Sequence, residues 1–284
     1  MAPQIFFITG TSTGFGSELV KHCLSEGDKV VATARNSSKL NFDNTTKDNF
    51  LAVDCDVTDT ESIDNAFEKA LSRFGRIDVV VNNAGYGLCG EFESLSDRQI
   101  RKQMEVNFFG LISVTRKALE IMREKNSPPG GKIQQITSIG GQRGVPTFST
   151  YCASKWAVEG FTEGVSHELK PEWNIKLTCI EPGGFRTDWA GRSMEFGESK
   201  NKAYDHIDAE KRMRERNGTQ AGDPVKGARA MWEIAQMDDP PLRTVIGSDA
   251  YTAIMGKIKA YGELYPKYKE LANGTDVDGY KRPA

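Results

Sequence analysis

Seven short apolar runs recur along this chain: IFFIT (5–9), KVVAT (29–33), NFLAVD (49–54), DVVVNN (78–83), KIQQIT (132–137), IKLTCI (175–180) and TVIG (244–247). Longer stretches with helical periodicity part them. SIDNAFEKALSRF, for example, sets Ile63, Ala66, Phe67, Ala70, Leu71 and Phe74 at helical spacing. Runs this short and this apolar suit strands buried on both sides. A strand joined to the next through a helix pairs with it in parallel, because the crossover returns the chain to the same end of the sheet. The pattern predicts an α/β fold in one doubly wound domain over residues 1–284, with a seven-stranded, mainly parallel sheet covered by helices on both faces. SPPGG (127–131) reads as a turn before a strand, and no internal repeat or low-complexity linker divides the chain.

Two stretches depart from this rhythm. Residues 190–222 are dense in charge, with Met194, Phe196, Tyr204, Ile207 and Met213 scattered through them. They form either a solvated helix pair or a lid inserted over a ligand site, since long insertions at strand ends often carry binding function. Residues 248–284 read as a C-terminal helix and tail, whose stripe of Ile254, Met255, Ile258, Tyr261, Leu264, Tyr265, Tyr268 and Leu271 is expected to pack on its own domain.

Charge and cysteine usage exclude several classes. A formal charge of -2 offers no field to attract nucleic acid or an anionic membrane, and no run approaches the roughly 20 apolar residues that span a bilayer. The opening MAPQIFFITG lacks a basic leader, so a cytoplasmic location is expected. The five cysteines are widely spaced without a CxxC pair, and the three histidines form no ligand cluster, which argues against a disulfide framework and against a metal site.

TGTSTGFG (9–16) follows the first strand and opens the first helix. Gly10, Gly14 and Gly16 permit a tight turn and close backbone approach, with Ser12, Thr13 and Phe15 beside them, so that a pyrophosphate would meet the amides of a helix N-terminus. At the end of the second strand a site for NAD would carry an acidic residue toward the ribose 2′-hydroxyl, whereas this chain has Ala34 and then Arg35. A guanidinium pairs with a 2′-phosphate through two hydrogen bonds, so the expected cofactor is NADP(H).

YCASK (151–155) puts a phenol and an ammonium one helical turn apart, and the lysine charge is expected to draw the tyrosine pKa down toward the range of a general acid/base. With this motif in place the chain resembles the short-chain dehydrogenase/reductase family over nearly its whole length. TGTSTGFG matches that family's TGxxxGxG, DCDVTD its acidic adenine-site turn, NNAG (82–85) its sheet-stabilising motif and YCASK its YxxxK.

The resemblance implies a Rossmann-type domain and a catalytic set of Asn107, Ser138, Tyr151 and Lys155. It assigns Asp56, Val57, Asn83, Ala84 and Gly85 to the adenosine half of the cofactor, and Pro182, Gly183, Phe185 and Thr187, in EPGGFRT, to the nicotinamide half, where Tyr151 and Lys155 also contact it. Two positions depart from the common pattern: Glu181 stands before the Pro-Gly pair where many members have Asn, and Thr137 precedes Ser138 where many have Ser.

The implied activity is reversible transfer of a hydride between nicotinamide and a carbonyl or secondary alcohol. A pocket formed by Gly140, Gln142, Val145, Phe148, Phe185, Met194 and Phe196 would favour a moderately apolar ketone. Two other uses of the site stay open at this point: a catalytically silent NADP-binding regulator or scaffold, and an epimerase or dehydratase. Family analogy further implies a homodimer or homotetramer.

Overall fold

A computed structural model describes residues 2–280; the two ends of the span expected as one domain, Met1 and residues 281–284 of the tail, lie outside the described residues. The chain opens with β1 (Ile5–Ile8), α1 (Gly14–Ser25), β2 (Lys29–Ala34), β3 (Phe50–Asp54), α2 (Thr60–Phe74) and β4 (Val79–Asn82). A three-residue strand β5 (Gly87–Cys89) precedes α3 (Asp97–Met104), a π-helical turn at Glu105–Gly110, and α4 (Leu111–Glu124). Then follow β6 (Gly131–Ile136), α5 (Ser149–Glu168), β7 (Ile175–Pro182), β8 (Met194–Phe196), α6 (Ala209–Arg216), α7 (Pro224–Gln236), β9 (Arg243–Ile246), α8 (Ser248–Leu264) and α9 (Lys269–Asn273).

Local chemistry sets the helix ends. Asp59 accepts from Glu61 N to start α2, which stops at Gly75 in the left-handed conformation. Ser96 and Gln99 form a reciprocal capping box on α3, and Asp223 with Pro224 begins α7.

The main sheet runs β3-β2-β1-β4-β6-β7-β9, and every pairing in it is parallel. All seven expected strands lie in it. Alternation along the strands sends side chains to two cores. Phe6, Ile8, Val30, Ala32, Val79 and Val81 meet α1 and α7 on one face through Leu19, Val20, Ala228 and Met231. Phe7, Val31, Val80, Ile133 and Leu177 meet α2 and α4 on the other through Phe67, Ala70, Val114 and Ala118.

Phe7 and Phe67 stack at 4.1 Å with neither exposed. Phe67→Ala is expected to lower unfolding free energy by about 3–5 kcal/mol, measurable by urea denaturation at unchanged m-value.

The C-terminal stripe does not pack on its own domain as expected. Only Ala250 and Ile254 of α8 are buried, whereas Ile258 is 58% exposed, Tyr265 64% and Leu271 71%. The helix meets β9 and buries only residues of its first turns, so helical spacing continues along a stretch whose apolar side chains stay exposed. Lys257 does turn back, placing its ammonium 4.1 Å from the centre of the Trp156 ring.

Candidate active site

Strand order reverses between β1 and β4, where crossovers leave in opposite directions and a crevice opens at the carboxyl ends of the strands. A continuous cleft of about 1360 Å³ occupies it, running from Arg35 and Asp56, over the glycine loop, to Ser138, Tyr151 and Trp189.

The glycine loop turns through left-handed backbone at Gly10 (φ 69°) and Gly14 (φ 60°), which L side chains rarely adopt. Asn83 braces it, donating through Nδ2 to the Thr9 and Gly10 carbonyls at 2.9 and 3.0 Å. At the start of α1, Thr13 makes no side-chain cap and the first turn carries no acid, so its amides remain available to an anion. This is the donor set that a dinucleotide pyrophosphate requires.

Gly10, Ser12, Thr13, Gly14 and Phe15 line the cleft, as do Arg35, Asp56, Val57, Asn83, Ala84 and Gly85, and, from the loop after β7, Pro182, Gly183, Phe185 and Thr187. Gly16 does not: a Cβ there would overlap the Gly10 carbonyl and Asn83, so this glycine lets α1 close onto its own loop. Asp56 accepts from Thr58 N and Oγ1, holding the turn after β3. Asn36 and Lys39 join Arg35 on the wall, and Lys39, four residues beyond Arg35, was within reach of sequence reading as a second cation. Asp54, the nearest strand-end acid, is bonded to Ser37 N at 2.6 Å.

Ser138, Tyr151 and Lys155 meet at the far end, all three on the cleft wall. The Ser138 hydroxyl accepts from Gly140 N at 3.0 Å, which aims it across the 139–141 turn. Lys155 donates from Nζ to the Ile136 carbonyl at 2.7 Å, and burial brings its ammonium down to about 8.

The Tyr151 phenol does not follow the sequence expectation. Burial raises it well above the usual phenol value, the Ser138 hydroxyl pulling the other way, and the Lys155 ammonium sits 5.8 Å from the ring centre. Desolvation dominates, so Tyr151 is held as a neutral phenol.

Asn107 is fully buried in the π-helical turn and does not reach the cleft wall. Its side chain instead clamps Tyr86, accepting from the backbone N at 3.1 Å and donating to the carbonyl at 3.0 Å, and reaches Ser154 Oγ on α5 at 3.3 Å. It thereby ties the segment after β4 to α5.

Beyond Tyr151 the cleft is walled by Gly140, Val145, Phe148, Phe185 and Met194 of the expected set, together with Tyr86, Trp189 and Met213. Trp189 stacks on Phe148 at 5.7 Å and leans on Tyr151 at 5.2 Å. Gln142 and Phe196 do not line it. Gln142 is turned away to donate to Glu181 at 2.9 Å, and Phe196 packs in the small cluster under β5 and α6.

Residues 190–222 pack against the segment after β4 and against α3. Strand β8 pairs in parallel with β5, Lys102 meets Glu195 at 2.9 Å, and Gln99 Nε2 donates to the Phe196 carbonyl at 2.8 Å. Tyr86, Trp189 and Met213 come from three separate segments, so local spacing does not show that they share one wall. Gly140 has a Cβ position 3.2 Å from Tyr151 Cε1 and 3.5 Å from Ser138 Oγ. Gly140→Val is therefore expected to cut turnover by about 10²-fold through displacement of the phenol, with thermal stability little changed; steady-state kinetics beside a melting curve checks it.

Residues 4–196 match the family described as short chain dehydrogenase. An uncharacterised oxidoreductase of Schizosaccharomyces pombe is 40% identical over 274 residues, 96% of this chain and 92% of that protein. A 3-ketodihydrosphingosine reductase of Bacteroides thetaiotaomicron is 36% identical, covering 87% of this chain and 89% of its own length. Among solved structures, a short-chain dehydrogenase from Streptomyces avermitilis superposes with a TM-score of 0.86 at 34% identity, over 97% of this chain and all of that one.

Proposed function

The chain belongs to the short-chain dehydrogenase family of oxidoreductases, and on that premise we propose that it is an NADPH-dependent reductase of a moderately apolar ketone. The observation that carries the reading is the convergence of Ser138, Tyr151 and Lys155 on one wall of a cleft whose other end has an uncapped helix N-terminus and two cations. NADPH, when bound, supplies the hydride.

The protein's own residues manage the oxygen. Tyr151, kept as a phenol by burial, delivers a proton to the carbonyl oxygen as negative charge develops there. Ser138 donates a hydrogen bond to the same oxygen. Lys155 would hold the ribose hydroxyls of the cofactor and support the return of a proton to Tyr151, with Asn107 fixing the helix that carries both.

Arg35 and Lys39 both line the cleft wall at this end, and two cations there would suit a 2′-phosphate, which favours NADP(H) over NAD. The wall of Val145, Phe148, Trp189, Met194 and Met213 favours an apolar substrate body. The naming of one relative as a 3-ketodihydrosphingosine reductase agrees with a ketone as the reducible group. No described helix is long and apolar enough to cross a membrane, and we extend the proposal to a cytoplasmic homodimer or homotetramer.

A screen of NADPH oxidation against alkyl, aryl and long-chain ketones tests the reading. The expected result is ketone-dependent oxidation that increases with apolar chain length. Activity confined to short, charged oxo acids would contradict the substrate class.

A further inference from the structure

Glu159, one helical turn beyond Lys155 on α5, is 3% exposed, and Glu181, near the end of β7, is 1% exposed. Glu159 Oε2 accepts from Arg243 Nε at 3.0 Å, while its Oε1 is buried without a partner. Glu181 Oε1 accepts from Gln142 at 2.9 Å and stands 3.9 Å from the same Arg243 Nε. Arg243 Nη2 also serves Glu163, at 2.7 Å. Three carboxyls thus share one guanidinium.

The surrounding elements add no second counter-ion. On α5, Lys155 donates to the Ile136 carbonyl; on β7, burial keeps the Cys179 thiol neutral. From α8, Lys257 donates to the Gln142 carbonyl and Asp249 accepts from Gly184 N at 2.8 Å. Among the described residues, Arg243 is the one cation in ion-pair contact with either buried carboxyl. Two adjacent buried carboxylates beside a divided guanidinium do not both remain ionised.

We propose that Glu159 and Glu181 share one proton, which Glu181 donates to the unpartnered Glu159 oxygen, and that this bond locks α5, the end of β7 and the 139–142 turn into one positioning unit. Ser138 precedes that turn, Tyr151 and Lys155 lie on that helix, and Pro182 and Gly183 follow Glu181 directly. The shared proton thereby couples the acid residues to the loop at the nicotinamide end of the cleft. Burial and the Glu159 charge push the Glu181 carboxyl up to about 7 from the ordinary 4.5. The folded state therefore binds more protons than the unfolded chain between those values, so stability falls as pH rises across that window and levels off above it. The positioning role rests on the carbonyl-reductase reading; the shared proton does not.

The test compares the wild type with Glu181→Gln, whose amide donates to Glu159 at any pH. NMR of protein carrying 13C at the glutamate δ-carbon is expected to show one carboxyl titrating near neutrality, absent from the variant. The wild-type melting midpoint should fall by about 5 °C relative to the variant between pH 5 and pH 8. The wild-type kcat for ketone reduction should fall several-fold from pH 6.5 to pH 8.5, with a flatter profile in Glu181→Gln. No glutamate titrating above pH 6 in the wild type, or parallel melting profiles in the two proteins, overturns the shared proton. Its presence with identical kcat profiles overturns the positioning role. If the variant does not fold, the wild-type NMR titration decides alone, and neither it nor the melting curves depend on turnover.

Discussion

Tyr151→Phe is expected to lower kcat for ketone reduction by about 10³-fold while the Kd for NADPH stays within about threefold. The substitution removes one oxygen and leaves the ring, so the contacts with Phe148 at 6.0 Å and Trp189 at 5.2 Å persist. The hydroxyl is the group that burial keeps protonated beside Ser138. Without it the developing alkoxide faces a serine that can hydrogen-bond but has no base to reload it. Stopped-flow single turnovers separate this loss from cofactor binding, which fluorescence quenching reads directly. A variant turning over near the wild-type rate would remove Tyr151 from the proton-donor role.

Arg35→Asp should reverse cofactor choice, moving the NADP/NAD ratio of kcat/KM by about 10²–10³-fold. A charge-assisted hydrogen bond to phosphate is worth about 1.5–3 kcal/mol, and the introduced carboxylate repels the 2′-phosphate. With tenfold per 1.4 kcal/mol, the two effects together reach the stated range. Asp54 would not mask the change, because its carboxylate is engaged with Ser37 N. Lys39 remains on the wall and should leave some residual NADP activity, which Lys39→Ala in the same background removes. An unchanged ratio would separate Arg35 from 2′-phosphate recognition.

The sheet was legible from the sequence because its signal is local: a buried parallel strand is a short apolar run whatever its neighbours, and the seven runs lie in the seven strands. The glycine loop was legible for the same reason, since strand, turn and helix follow one another directly. What escaped was set by distant parts of the chain. The β5–β8 pairing joins Gly87 to Met194 through three residues on each side, too few for a periodicity, and Tyr86, Trp189 and Met213 reach the cleft wall from three separate segments of the chain.

Burial decides what spacing leaves open. Spacing put Lys155 near Tyr151, but whether the lysine charge or desolvation governs the phenol depends on how deeply the pair is enclosed. Gln142, expected in the pocket, instead donates its amide to Glu181, a buried acid that local spacing does not place beside it. The α8 stripe likewise followed helical spacing beyond the end of the surface that would cover it.

Under the proposed function, this cleft delivers a hydride from NADPH to a ketone carbon under the control of Tyr151. The direct measurement is transfer of label: NADPH deuterated at nicotinamide C4, on the transferring face, is incubated with an apolar ketone that supports turnover, and the alcohol is analysed by mass spectrometry. One deuterium per product molecule, located on the carbinol carbon, with NADP⁺ and alcohol formed in equal amounts and both lost in Tyr151→Phe, is the predicted result. Unlabelled alcohol, or no net oxidation of NADPH with any ketone tested, would contradict it.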